Sequence, residues 1–439
     1  MRFSIRATVH QTPTPSQHDV HDDTVIIVAD GVIEAMGVDV APLDDHLDLG
    51  PDHVLIPGLV DCHIHAPQWP QLGTGLDLPL EEWLFAHTFP LEAKFADAEF
   101  AGSVWNHMVP SLLSHGTTTA VYYASVHEES TARLAAACAD HGQRAFVGRV
   151  AMDHPEGTPD WYRDASAGEA IAASHRSIDA IRGVDAGRGL VHPIVTPRFA
   201  PACTDAAMQG LAELARSERV LVQTHCSESD WEHGHAFERF GVSDTEALDS
   251  MGLLQPHTVL AHAGHTSESD WARLVERRAG IAHCPLSNAY FGDAVLPVRR
   301  ALDAGVSMGL GTDIAGGSEP GLLPQCQHAV TSSRMLEDGV DPSMPRDARR
   351  LEDQRIDTVT AFWLATVGGA ELLGQPIGLL EVGRRFDAVA VRVDGERSPL
   401  RSWPEVDDAA RRFEKVVRLA RPVDITDVWV DGRRVAGAR

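Results

Sequence analysis

His63 and His65 stand two residues apart at the end of an apolar run, Val54 to Val60, that only Pro57-Gly58 interrupts. In a strand, residues two apart face the same way, so both imidazoles can converge on one ion. Neutral imidazole is a common metal ligand, and Zn²⁺ accepts nitrogen readily. A lone His-x-His pair means little in a chain with 23 histidines. Its company changes the reading: His225 ends VLVQTH, His262 ends TVLAH, and Asp313 ends VSMGLGTD. His63, His65, His225 and Asp313 together make an N₃O set for a divalent ion, with a position left for water. Glu228, three residues after His225, is placed to move protons to or from that water. His262 could hydrogen-bond the same water or stabilise a developing oxyanion. Taken singly, each is as easily a satisfied polar group or a salt-bridge partner at a strand end.

The elements that must hold these residues alternate. Strand-like runs at Leu59–His65, Thr117–Ala124, Arg144–Ala151, Leu190–Thr196, Val220–Thr224, Thr258–Ala261, Gly280–Ala282 and Val306–Gly311 are separated by helical segments such as 98–115. Thr204-Asp205 and Thr266-Ser267 are the expected caps of two of those helices. Eight parallel strands are the number that closes a (β/α)₈ barrel, whose chemistry sits at the C-terminal strand ends. His63, His65, Arg198, His225, His262 and Asp313 all fall at or just after such ends. Outside this series, TVIIVADGVIEAMG and VWVDGRRVAG each centre a hairpin on Asp-Gly, at Asp30-Gly31 and Asp431-Gly432. The expected fold is therefore α/β: a TIM barrel over 57–378, with a small β-sandwich domain built by both chain ends, 1–56 and 379–439.

Composition narrows the class. The formal charge of −26 excludes a general affinity for nucleic acid phosphates and suits a solvated acidic surface. The opening MRFSIRATVH lacks the apolar core of a signal peptide, and no apolar run reaches the roughly 18 residues a membrane span needs. A cytoplasmic protein with no membrane partner is the expectation. Six cysteines without any C-x-x-C pair read as small buried thiols rather than a zinc ribbon, redox motif or disulfide framework. The only lysines are Lys94 and Lys415. A carbamylated lysine bridging two metals at the end of strand four is therefore impossible, and one metal per chain is expected.

With those residues in view, the chain resembles the amidohydrolase superfamily, and within it the amidohydrolase-type guanine deaminases. HAPQ (65–68), LEEWL (80–84), TFP (88–90), PRF (197–199), HCPLSN (283–288) and GTDIAGG (311–317) match that group's pattern. The likeness runs from about Pro57 to Asp387. It implies a zinc site of His63, His65, His225 and Asp313, His262 beside the zinc water, and Glu228 as proton shuttle. It also implies that Gln68, Arg198 and Phe199 face a purine base, alongside His65, His225, Glu228 and Asp313. Two positions depart from the pattern: Ala263 stands where glycine is usual, and Ser229 where asparagine is common.

The chemistry implied is hydrolysis of guanine to xanthine and ammonia, a C–N bond hydrolysis of purine catabolism. Arg198 would donate two bonds to O6 and N7, the pairing also used to read guanine in DNA, and adenine's amino group would clash with it. Gln68 can both donate and accept at the ring edge. Bound zinc would lower the pKa of its water towards ~7. Glu228 would carry a proton to N3 during attack on C2, Asp313 would accept one, and His262 would hold the new oxygen. A homodimer is the expected assembly. Three other readings stay open on sequence alone. One is a sister deaminase of 8-oxoguanine, isoguanine or an s-triazine. The others are a metal-free scaffold and, against the missing lysine, a two-metal cyclic-amide hydrolase.

Overall fold

The computed structural model describes residues 1–185, 187–395 and 398–437. The N-terminal segment supplies β1 (Arg2–Thr14), β2 (Gln17–Ala29), β3 (Val32–Gly37), β4 (His46–Asp48) and β5 (His53–Pro57). The next strands are β6 (Leu59–His65), β7 (Thr117–Tyr123), β8 (Arg144–Gly148), β9 (Val150–Ala151) and β10 (Val191–Pro197). They are followed by β11 (Leu221–Cys226), β12 (Val259–His262), β13 (Gly280–His283) and β14 (Ser307–Leu310). Every residue of β6 and β7 is buried, which is why neither strand shows the polar–apolar alternation of a half-exposed one. The strands pair in parallel in the order β14-β13-β12-β11-β10-β8-β7-β6, with β9 continuing the third stave beyond Arg149. The Asp313 amide donates to the His63 carbonyl and the His65 amide to the Ile314 carbonyl, both at 2.9 Å. Those bonds bring the two ends of the sheet together, and the result is the expected barrel.

The chain returns to its beginning through β15 (Ala388–Arg392), β16 (Ile425–Val430) and β17 (Arg433–Gly437). These join the N-terminal strands in one eight-stranded sheet, β17-β16-β15-β5-β1-β2-β3, with β4 on β1. Both Asp-Gly turns take the left-handed conformation at their two central residues, φ 49° and 80° at Asp30-Gly31 and 53° and 73° at Asp431-Gly432. That backbone suits the twist of a two-residue hairpin, and Asp-Gly adopts it with little strain. Arg144 on β8 forks onto the buried Asp387 carboxylate with two bonds of 3.2 Å, and Asp387 also accepts the Asp431 amide. Barrel and small sheet are thus tied by a buried charge pair whose unmatched lone pair is used as well.

Local signals set the helices. Thr204 caps Asp205–Glu218 by accepting from the Ala207 amide, and Ser267 with Asp270 forms a reciprocal capping box at the head of Glu268–Arg277. The six cysteines are free and buried. Among the described residues no helix is long and apolar enough to cross a membrane.

Candidate active site

The residues singled out at strand ends converge. The Nε2 atoms of His65 and His225 lie 2.9 Å apart, and Asp313 Oδ1 is 3.1 Å from His63 Nε2 and 3.6 Å from His65 Nε2. All four side chains are buried. The His225 Nδ1–H donates to the Arg198 carbonyl at 2.6 Å, so its Nε2 lone pair faces the cluster. Burial, with neighbouring imidazoles second, holds His65 and His225 well below the usual histidine range, so both rings are neutral. His63 Nδ1 and Nε2 and His65 Nδ1 are buried without a hydrogen-bond partner. Imidazole nitrogens and a carboxylate brought together in a buried site ask for a cation, and this donor set fits one zinc ion. His225, Glu228 and His262 also present ligand atoms close together.

Below the cluster, Asp61 accepts from the His63 amide, the Thr312 amide and the Thr312 hydroxyl at 3.2, 3.0 and 2.6 Å. It staples the His-x-His strand to the Gly-Thr-Asp turn. Burial pushes its carboxyl up to about 7 against those bonds. Above the cluster, Glu228 Oε1 lies 3.6 Å from His262 Nε2, which is 3.9 Å from Asp313 Oδ2. Burial first, and the Asp313 carboxylate second, raise Glu228 well above the ordinary carboxyl range. His262 donates its Nδ1–H to Asn288 Oδ1 at 2.9 Å, leaving a lone pair on Nε2. Left-handed backbone gathers here too, at Ser227, His262, Ala263 and Asp313. Strain of this kind is a frequent mark of functional strand ends.

Both departures in the sequence pattern have a local account. Ala263 has φ 54°, the region glycine enters freely and alanine only with strain. Ser229 caps the helix Asp230–Phe240 by accepting from the Glu232 amide, a task asparagine performs equally well.

A narrow cavity opens onto the cluster. His65, His225, Glu228 and Asp313 form its floor, Gln68, Arg198 and Phe199 one wall, and Leu80, Trp83, Leu84 and Phe291 an apolar side. The Trp83 and Phe291 rings pack with centroids 4.9 Å apart. The Tyr290-Phe291 pair divides: Phe291 lines the cavity, whereas Tyr290 is exposed.

One residue that sequence reasoning missed organises the polar wall. Glu92 is wholly buried, and its carboxylate accepts from Arg198 Nη1 at 2.6 Å and Nη2 at 3.1 Å. It also accepts from Gln68 Nε2 and from the Tyr162 hydroxyl, both at 3.0 Å. Arg198 is thus both a cavity wall and half of a buried ion pair, the two readings PRF alone leaves open. Gln68 Oε1 takes the Ala315 amide, so part of each side chain's capacity is committed within the protein. A signal for Glu92 was present: Leu80, Leu84 and Thr88 recur every four residues on a buried face, and Glu92 is the next in that row. The run is helical with a wider π-type turn at Leu84–Thr88, just before Pro90, which has no N–H to donate.

Family comparison agrees with this geometry. A model of the amidohydrolase family matches residues 54–435. The chain belongs to the amidohydrolase family. A probable guanine deaminase of Schizosaccharomyces pombe is 38% identical over 394 residues, 89% of this amidohydrolase and 72% of that protein. The guanine deaminase of C. acetobutylicum, solved with guanine bound in the active site, superposes with a TM-score of 0.89. It is 28% identical and the match covers 99% of this chain and 100% of that one. An adenosine deaminase of Xanthomonas campestris with bound zinc gives a TM-score of 0.81 at 25% identity, covering 98% and 92%.

Proposed function

We propose that this amidohydrolase deaminates guanine to xanthine and ammonia, in the cytoplasm and as a homodimer, with one zinc ion per chain. The observation that carries the reading is one cavity in which His65, His225 and Asp313, with His63 packed behind them, face the Arg198 and Gln68 wall. Similarity to guanine deaminases, one of them with guanine bound, supports the base, and a zinc-bound relative supports the metal.

His63, His65, His225 and Asp313 would hold the ion, which when bound supplies a water acidic enough to attack at neutral pH. The residues do the rest. Glu92 occupies one hydrogen on each Arg198 Nη. The guanidinium keeps its Nε–H and further Nη hydrogens, enough for a second fork onto O6 and N7 of the base. The remaining Gln68 N–H and lone pair read the ring edge, and Phe199, Trp83 and Phe291 exclude solvent around the ring. Neutral His262 orients the attacking water by accepting its hydrogen on Nε2, and Asp313 takes a proton as oxygen bonds to C2. Glu228 delivers a proton to N3 while C2 becomes tetrahedral. Asp313 then passes its proton to the amino group, which departs as ammonia, while the Glu228 carboxylate takes the proton of the new C2 hydroxyl as the carbonyl forms. Water is consumed and one ammonia released per base.

An ammonia-release screen of the zinc-loaded protein across guanine, 8-oxoguanine, isoguanine, adenine, cytosine and s-triazines tests this. Guanine should give the highest kcat/KM. Preference for adenine, or for a triazine with guanine inert, would overturn the substrate assignment.

A further inference from the structure

The buried carboxylate of Glu92 stands behind both polar side chains of the cavity wall without lining the cavity itself. An ionised carboxylate offers about four acceptor sites, and here Arg198 Nη1, Arg198 Nη2, Gln68 Nε2 and the Tyr162 hydroxyl use them. A buried ion pair alone says little about purpose, since desolvation offsets most of its attraction. The arrangement around this one is more specific. Arg198 and Gln68 reach Glu92 from β10's end and from the segment after β6, and both line the cavity. Gln68 is pinned at its other end by the Ala315 amide, two residues beyond Asp313. The Phe89 ring lies 5.0 Å from Arg198 Cζ, a contact that further limits how the guanidinium can swing. Holding the two Nη hydrogens of one edge decides which edge of the fork remains for a ligand.

We propose that Glu92 is a positioning residue for base recognition, fixing the guanidinium of Arg198 and the carboxamide of Gln68 in the one orientation that reads a purine edge. The proposal rests on guanine being the substrate. Glu92 touches neither the base nor the reacting atoms. It acts by removing the freedom of the two side chains that do, so the ordering cost is met in folding instead of at binding. Tyr162 contributes by holding Oε2 from behind.

The test is steady-state kinetics on zinc-loaded protein with guanine, for Glu92→Gln, Arg198→Ala, their combination and Tyr162→Phe. Glu92→Gln should lower kcat/KM about 10- to 100-fold, mainly through KM, with bound zinc unchanged. In the Arg198→Ala background the same substitution should cost no more than about threefold, because of the two side chains through which it acts only Gln68 remains. A fall confined to kcat, or losses that multiply in the double variant, would overturn the proposal. Should Glu92→Gln fail to fold, Tyr162→Phe decides. It removes one neutral bond to the carboxylate and should raise KM about two- to tenfold, whereas an unchanged KM counts against the idea. Wild-type protein inert on guanine would remove the substrate reading and this proposal together. Wild-type activity with unmoved KM in the folded variants would remove this proposal alone.

Discussion

The floor and the wall of the cavity are built by different means. Every candidate metal ligand is carried by a barrel strand or the residues just beyond it, where ladder bonds on both sides fix the backbone. The wall is drawn from a helical excursion, Leu80–Glu92, from Gln68 after β6, from Arg198 and Phe199 after β10 and from Phe291 beyond β13; side-chain bonds to Glu92, beyond the ladder, hold its polar part together. A floor fixed by the fold's own ladder suits chemistry shared across a family. A wall fixed by side-chain bonds can be changed without touching that chemistry. Substitutions on the floor should therefore remove activity outright, and those on the wall should redistribute it among bases.

The largest effect expected is loss of the metal site. His63→Ala or Asp313→Ala should abolish bound zinc and ammonia release together, and so should chelation of the wild-type protein, reversibly. Each removes one donor of a four-donor set, and an opened shell binds far more weakly. Folded variants that retain full zinc by mass spectrometry would show that the ligand set is another, with His225, Glu228 and His262 the next combination to examine.

Next is Glu228→Gln. The amide keeps size and polarity but cannot carry a proton. Zinc should stay, and kcat should fall by about 10²- to 10⁴-fold. Retention of more than roughly half of the wild-type kcat would assign the shuttle to a different group.

The same division explains what could be read from sequence. His63, His65, His225, His262 and Asp313 were legible because strand period and barrel topology convert spacing directly into position. Both Asp-Gly hairpins and the Thr204 and Ser267 caps were legible for a similar reason, since backbone geometry at a turn or helix start restricts the residue types. Glu92 was not. Its partner Arg198 lies 106 residues away, and a π-type turn interrupts the helical period just before it. Asn288 behind His262 and Asp61 beneath Thr312 escaped for the same reason: each links the ends of two neighbouring staves distant in sequence, and no local pattern announces such a contact.

A wall substitution gives the third prediction. Arg198→Ala should lower kcat/KM on guanine by about one to two decades, with zinc retained. Lysine should recover part of the loss, because it keeps the charge facing Glu92, but not all of it, because it lacks the planar fork. The buried pair adds a consequence that PRF alone did not suggest. Alanine strands the Glu92 carboxylate without its cation, so this variant should also melt earlier than Arg198→Lys. Unchanged kcat/KM with Arg198→Ala would break the proposed division between floor and wall and move a sister deaminase activity ahead.

The smallest effect separates strain from chemistry at the floor itself. Ala263 directly follows His262 and sits at φ 54°, where its Cβ crowds the backbone. Ala263→Gly should relieve that crowding and, even after the greater freedom glycine gives the unfolded chain, stabilise the protein by about 1 kcal/mol. Ser229→Asn, the other departure, exchanges one good helix cap for another and should change stability by no more than a few tenths of a kcal/mol. Neither alters a side chain of the cavity floor, so kcat on guanine should stay within about twofold in both. Thermal unfolding of the two variants side by side checks this. If Ala263→Gly melts lower than wild type, the left-handed turn after His262 is held by the alanine methyl's packing. The strain at this strand end would then be offset locally, in the way the wall offsets its buried charge.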